Sequence, residues 1–246
     1  MSSTGFRRIL GCAAIAACAL SSLASADAVI NDPVFTVTAT SSLGSASFSV
    51  NSSSLQEFPA GSGRFRFLQL TPVALQDGPN LIGTLTQGTL FLNPDPQIGL
   101  GFAVQAGAAD TVFSITSSTL SFVGITNPIV EASAAITTTD IGNNNASLVG
   151  INPGGGAYLA QYNGTVPAGI TYLNGIPSVG GFGSNSSPIN AGPDVLVGTT
   201  AVDMSARFSF SLTAGDLASG TSNFLITPEP ASLALLALSA LMLRRR

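Results

Sequence analysis

Phe35-Thr36-Val37-Thr38 and Arg64-Phe65-Arg66-Phe67-Leu68-Gln69-Leu70 alternate apolar and polar residues. A side-chain period of two marks a β-strand with one wet face, because successive Cβ atoms point to opposite sides of a sheet. In the second stretch Phe65 and Phe67 are expected inward, followed by Leu68 or Leu70 after a change of phase near Leu68. Arg64 and Arg66 then share the solvent face. Ser45 to Val50 alternates in the same way. Working outward, further strands are expected at Leu81–Thr86, Gly88–Leu92, Gly99–Gln105, Thr111–Thr116, Thr119–Gly124, Ile129–Thr138, Val195–Ala201, Arg207–Leu212 and Asn223–Ile226. All are short, rich in Val, Ile, Phe and Thr, and bounded by Gly, Pro, Asn, Asp and Ser. Turn signals every eight to twelve residues or so point to an all-β chain, an antiparallel β-sandwich of jelly-roll or Ig-like type. Between the two ends of the chain no segment reads as a helix.

Composition agrees with an exported β-rich body. Charged residues make up 8% of the 246, and the chain has no Lys, His or Trp. An ordinary soluble domain carries roughly 25%. Between Asp27 and Thr227 there are three arginines (Arg64, Arg66, Arg207) and eleven acids, a net charge of 3 − 11 = −8. No basic patch is left to bind nucleic acid.

The first 26 residues read as a secretory signal peptide and signal helix. Arg7 and Arg8 supply the positive start, Ile9 to Leu20 the apolar run, and Ala24-Ser25-Ala26 the small-residue site for signal peptidase, at Ala24 and Ala26. Ile15-Ala16-Ala17-Cys18 also resembles a lipobox, which leaves a lipoprotein acylated at Cys18 as an alternative. Cleavage after Ala26 removes both cysteines, Cys12 and Cys18. The body, residues 27–226, then folds without disulfides.

Within that body, residues 140–194 are dense in Gly and Asn and read as a mobile loop region, holding at most a hairpin such as Ala157–Gln161 with Ile170–Leu173. All three tyrosines, Tyr158, Tyr162 and Tyr172, fall there.

Chemistry is sparse. Without His, and without Cys once the leader is removed, the familiar nucleophilic triads and thiolate or imidazole metal sites have no residues to use. Carboxylate chemistry would rest on Glu57 and Glu131, which no motif frames, so a non-enzymatic protein is expected. Calcium takes oxygen ligands from loops. Asp140 with Asn143, Asn144 and Asn145 is the weak candidate, and Asn93 with Asp95 a second. The same residues also suit left-handed turns. Asn51, Asn145, Asn163 and Asn185 begin N-x-S/T triplets, a pattern expected by chance in a chain so rich in Asn, Ser and Thr.

The last twenty residues have three parts. Thr227 precedes Pro228-Glu229-Pro230, thirteen uncharged residues run from Ala231 to Leu243, and Arg244-Arg245-Arg246 close the chain. The arginines are expected to stay cytoplasmic. Thirteen helical residues span about 20 Å, short of a hydrocarbon core of roughly 30 Å. This order of parts resembles the PEP-CTERM sorting signal, although Thr227 stands where Val is common. The resemblance implies a transient C-terminal hydrophobic or transmembrane helix over residues 227–246. It also implies recognition of Pro228, Glu229 and Pro230 by an exosortase-type processing enzyme, and delivery to the cell surface or an exopolysaccharide and biofilm matrix. The expected protein is therefore an exported, non-enzymatic surface or matrix protein. A carbohydrate- or calcium-binding adhesin, using Tyr158, Tyr162 or Tyr172 for sugar, is one alternative. A plainly anchored membrane protein is another.

Overall fold

The computed structural model describes residues 29–164, 171–174, 183–186, 190–191, 195–196 and 198–228. In chain order the strands are β1 (Val29–Ile30), β2 (Phe35–Ser41), β3 (Gly44–Val50), β4 (Gln56–Glu57), β5 (Phe65–Gln69), β6 (Val73–Asp77), β7 (Asn80–Asn93), β8 (Gln97–Ala106), β9 (Thr111–Ser117) and β10 (Leu120–Thr126). They continue as β11 (Ile129–Asp140), β12 (Leu148–Gly150), β13 (Gly156–Tyr162), β14 (Thr171–Asn174), β15 (Gly183–Ser186), β16 (Asn190–Ala191), β17 (Val195–Leu196), β18 (Thr200–Leu212) and β19 (Leu217–Thr227). The described residues contain no α-helix, only a single 3₁₀ turn at Ser52–Ser54. The expected signal helix and C-terminal helix lie outside them.

The chain is all-β, with two antiparallel sheets in a sandwich-like arrangement. The nine-stranded sheet has the order β1-β10-β18-β9-β2-β3. Leu212 on β18 pairs with Thr111 of β9 and also with Leu148 of β12, so β12 and β13 lie along the opposite edge of β18 from β9. The ten-stranded sheet has the order β15-β11-β19-β8-β7-β5-β4, with β16 and β17 on β11 and β6 on β7. At its centre β19 pairs with β11 on one side and with β8 on the other.

What joins the sheets is a buried aromatic layer. Phe102, on β8, lies 4.9 Å from Phe208 and 5.5 Å from Phe210, both on β18 of the other sheet. Phe113 and Tyr158 extend the layer through Phe210 and Phe208. A second bridge joins Phe35 of β2 to Phe67 of β5 at 5.5 Å. Offset and edge-on ring pairs of this kind contribute about 0.5–1.5 kcal/mol each beyond the burial of their area.

Glycines make room for these rings. A Cβ on Gly83 would meet Phe113 at 2.8 Å, one on Gly88 would meet Phe35 at 3.0 Å, and one on Gly220 would meet Phe102 at 2.7 Å. Gly220 is the direct register partner of Phe102, so the ring lies across the gap its neighbour leaves.

Several sequence expectations change in consequence. Leu81–Thr86 and Gly88–Leu92 form one strand, β7, because Gly88 continues the ladder and seats Phe35. The register shift falls at Thr86, whose hydroxyl donates to the Ala103 carbonyl at 2.9 Å. No change of phase occurs in β5. Phe65 and Phe67 pack on the core, while Leu68 and Leu70 remain 52% and 65% exposed on the Arg66 side. Residues 140–194 are not one loop, since β12 to β16 fall within them. The expected hairpin is present as β13 with β14, but β13 is also laddered to β18 and buried from Gly156 to Ala160.

Gly83→Ala is expected to destabilise the protein by about 1–3 kcal/mol, because the new methyl meets a packed ring and the Gln105 carbonyl, neither of which can yield cheaply. Gly198→Ala, whose added Cβ would meet no atom of the described residues within 4 Å, is expected to be near neutral. Urea denaturation of the two variants measures the difference.

Candidate functional site

Of the expected sorting residues, Pro228 alone lies among the described residues, directly after the last ladder residue of β19. Glu229, Pro230, Arg244, Arg245 and Arg246 lie outside them, as do Ala24, Ala26 and Cys18. Thr227 is held by its register pair with Ile129, and the Ile226 amide donates to the Pro96 carbonyl at 3.0 Å. Among the described residues no helix is long and apolar enough to cross a membrane.

The calcium candidates form part of a crossover between the sheets. Asp140 ends β11 and is 2% exposed. One of its oxygens accepts the Asn144 amide at 3.3 Å and the other accepts the Asn145 amide at 2.9 Å. Asn143 and Asn145 have φ of 55° and 70°, the left-handed turn conformation that Asn tolerates. The neighbouring Asp216 is fully buried and accepts the Ile141 amide at 3.3 Å and the Thr213 hydroxyl. Asp140 therefore closes the 141–147 connection on itself, and Asp216 ties that connection to 213–216, with its two oxygens taken by a backbone N–H and a hydroxyl. Among the described residues no group of three or more His, Cys, Asp or Glu side chains is gathered in metal-binding reach. Asn93 closes a tight turn through the Asp95 amide at 3.2 Å.

Glu57 and Glu131 are not brought together. They sit on β4 and β11, five strand positions apart in the same sheet, a separation on the order of 24 Å at about 4.8 Å per strand. A carboxylate pair working across one sugar stands within about 5–9.5 Å. Glu131 is exposed on the solvent side of β11. Glu57 closes the 58–63 loop by accepting the Gly63 amide at 2.6 Å. That bond, followed by one from Gly61, holds its carboxyl below the ordinary glutamate range. Beside this loop the Arg66 guanidinium lies 3.9 Å from the centre of the Phe58 ring.

The tyrosines divide. Tyr158 is fully buried, 4.9 Å from Phe208, so it belongs to the core and is corrected as a surface ligand for sugar. Tyr162 is partly buried against the same core. Tyr172, on β14, is the register partner of Tyr158. Asn163, read as an N-x-S/T asparagine, spans its turn by donating to the Thr200 carbonyl at 2.7 Å and accepting the Val202 amide at 2.8 Å.

The polar surface that sequence reading passed over lies on the outer face of the ten-stranded sheet. Thr89, Gly101, Thr221 and Ala135 form one cross-strand row there, and Gln87, Ala103, Ser219 and Thr137 form the next. No local motif announces it, because each row draws on four strands. The signal that was available is the run Gly99-x-Gly101-x-Ala103, small residues at alternate positions of one strand.

No family model matches this chain, and neither does any curated protein or solved structure.

The Glu57 carboxyl gives a pH signature. Its lowered folded value means that its contribution is present above the unfolded glutamate range, about 4.3, and is lost as pH falls through the folded value. The Gly63 amide resonance is therefore expected to titrate with a midpoint below that of an unperturbed glutamate, and to be flat in Glu57→Gln. Separately, Asp140→Ala removes the buried charged acceptor of the Asn144 and Asn145 amides and is expected to lower the unfolding free energy by about 1–3 kcal/mol, measured by chemical denaturation.

Proposed function

We propose that this chain is an exported, non-enzymatic protein of the cell surface or exopolysaccharide matrix, delivered through its PEP-CTERM-like tail. The observation that carries this reading is the position of the last ladder residue. β19 is paired through Thr227, and the Pro-Glu-Pro triplet begins at the next residue. A processing enzyme that reads Pro228, Glu229 and Pro230 thus reads a triplet that starts immediately after the last ladder residue in sequence.

One further feature supports export. The body needs no thiol to hold its core, since both cysteines belong to the leader. The separation of Glu57 from Glu131 supports the non-enzymatic part of the reading.

The intact mass of the protein recovered from producing cells and from their medium tests this. A species beginning at Asp27 and ending near Pro228 to Pro230, with or without an added group, is expected. A species that retains Arg246 and is found only in membranes would replace sorting with plain anchoring, and an acylated N-terminus at Cys18 would make the chain a lipoprotein.

A further inference from the structure

The outer face of the ten-stranded sheet is hollowed over β8 and β19. Outward positions of β8 carry Gly99, Gly101 and Ala103, and the outward position on β11 in the same row as Gly101 is Ala135. Two depressions of about 320 Å³ each adjoin there, with Ala135 and Thr221 in both. Gln87 and Thr89 of β7 form one wall and Thr137 of β11 the other. A row across the four strands covers three strand spacings, about 14 Å. Glycine inside a strand often marks a site where a ligand or another backbone comes close. Here a Cβ on Gly101 would collide with the Thr89 hydroxyl, so Thr89 leans over β8 and into the hollow.

Some hydroxyls on the outer face of the nine-stranded sheet bond one another, Thr36 with Ser49 at 3.2 Å, Thr40 with Ser45 at 3.0 Å, and Ser114 with Ser209 at 3.2 Å, while others such as Thr38 stand alone on that face among the described residues. The hollow is set apart by joining unpaired hydroxyls to a depression. In the hollow, Thr137 is paired with Ser186 at 2.8 Å. Thr89, Ser133, Ser219 and Thr221 have no side-chain hydrogen-bond partner among the described residues.

Charge selects the partner. No ionisable side chain lines either depression. The body carries a net charge near −8, counted from Asp27 to Thr227, so it repels a polyanion and a second copy of itself. An uncharged surface of free hydroxyls and amides complements an uncharged, hydroxyl-rich chain. We propose that this hollow binds a strand of neutral polysaccharide, laid across β7, β8, β19 and β11. The inference deepens the matrix reading above and rests on it for where the glycan is met, but the binding itself belongs to the folded body.

The test titrates the purified full chain with cellohexaose, maltohexaose and laminarihexaose as neutral probes and with hexagalacturonate as an anionic one. Amide resonances report the site, and calorimetry reports the affinity. Saturable binding of a neutral probe is expected, with shifts at Gly101, Ala103 and Thr221. Thr221→Arg, on the solvent face, is expected to weaken it about tenfold or more. Thr38→Arg, on the outer face of the other sheet, is expected to bind as the parent does, and both variants are expected to melt as the parent does. Three results would overturn the proposal: no binding of any neutral probe, equal binding of hexagalacturonate, or equal affinities of Thr221→Arg and Thr38→Arg. Such a failure would leave the intact-mass result untouched, and the two readings therefore fail separately.

Discussion

The contact between Phe102 of one sheet and Phe208 and Phe210 of the other is the interaction on which the architecture depends. The body has neither a disulfide nor, among its described residues, an ion pair to fasten one sheet to the other. Apolar burial must do that work, at roughly 1.5–3 kcal/mol for each large side chain fully removed from water. Rings reach furthest across the gap, and they fit because glycines on the ten-stranded sheet leave space at Gly83, Gly88 and Gly220. The same glycines weaken their strands locally, since glycine is a poor strand former. Pairing on both sides compensates. β7 and β19 each have a partner along both edges.

This constraint explains which parts of the fold were legible in the sequence. Phe35-Thr36-Val37-Thr38 and Arg64 to Phe67 carry their own periodicity, and each forms a strand in the expected phase. Gly88 looks like a break between two strands because sequence alone does not show the Phe35 ring it accommodates. The first half of β19, Leu217 to Ser222, is not legible as a strand because Ala218-Ser219-Gly220-Thr221-Ser222 has weak intrinsic strand preference. Two long ladders, to β8 and β11, make it a central strand. Region 140–194 misleads in the same way: its Gly and Asn mark real turns at Asn143, Asn145, Gly154, Gly155, Asn163 and Gly164, yet β13, between Gly155 and Asn163, is part of the core.

The candidate sites divide along similar lines. Asp140 was visible as an acid among asparagines, but composition does not show that neighbouring amides occupy both of its oxygens. The polar hollow had no local signature, because its rows come from strands as far apart in sequence as Thr89 and Thr221. The tail is the reverse case. Its three parts are contiguous and readable at once, and the sheet supplies the complementary fact that the ladder runs to Thr227 and then stops. Together these features set the last paired residue, Thr227, directly before the proposed address in sequence, with the uncharged hydroxyl surface on the sheet that contains β19.

Native-state hydrogen exchange tests most directly whether the aromatic layer unites the two sheets. If it does, the slowest amides of β8 and β19 in one sheet, and of β9 and β18 in the other, exchange with a single free energy equal to that of global unfolding. Two distinct free energies, one for each sheet, would contradict this. The sheets would then be separate units, and the phenylalanine contacts a consequence of their proximity rather than its cause.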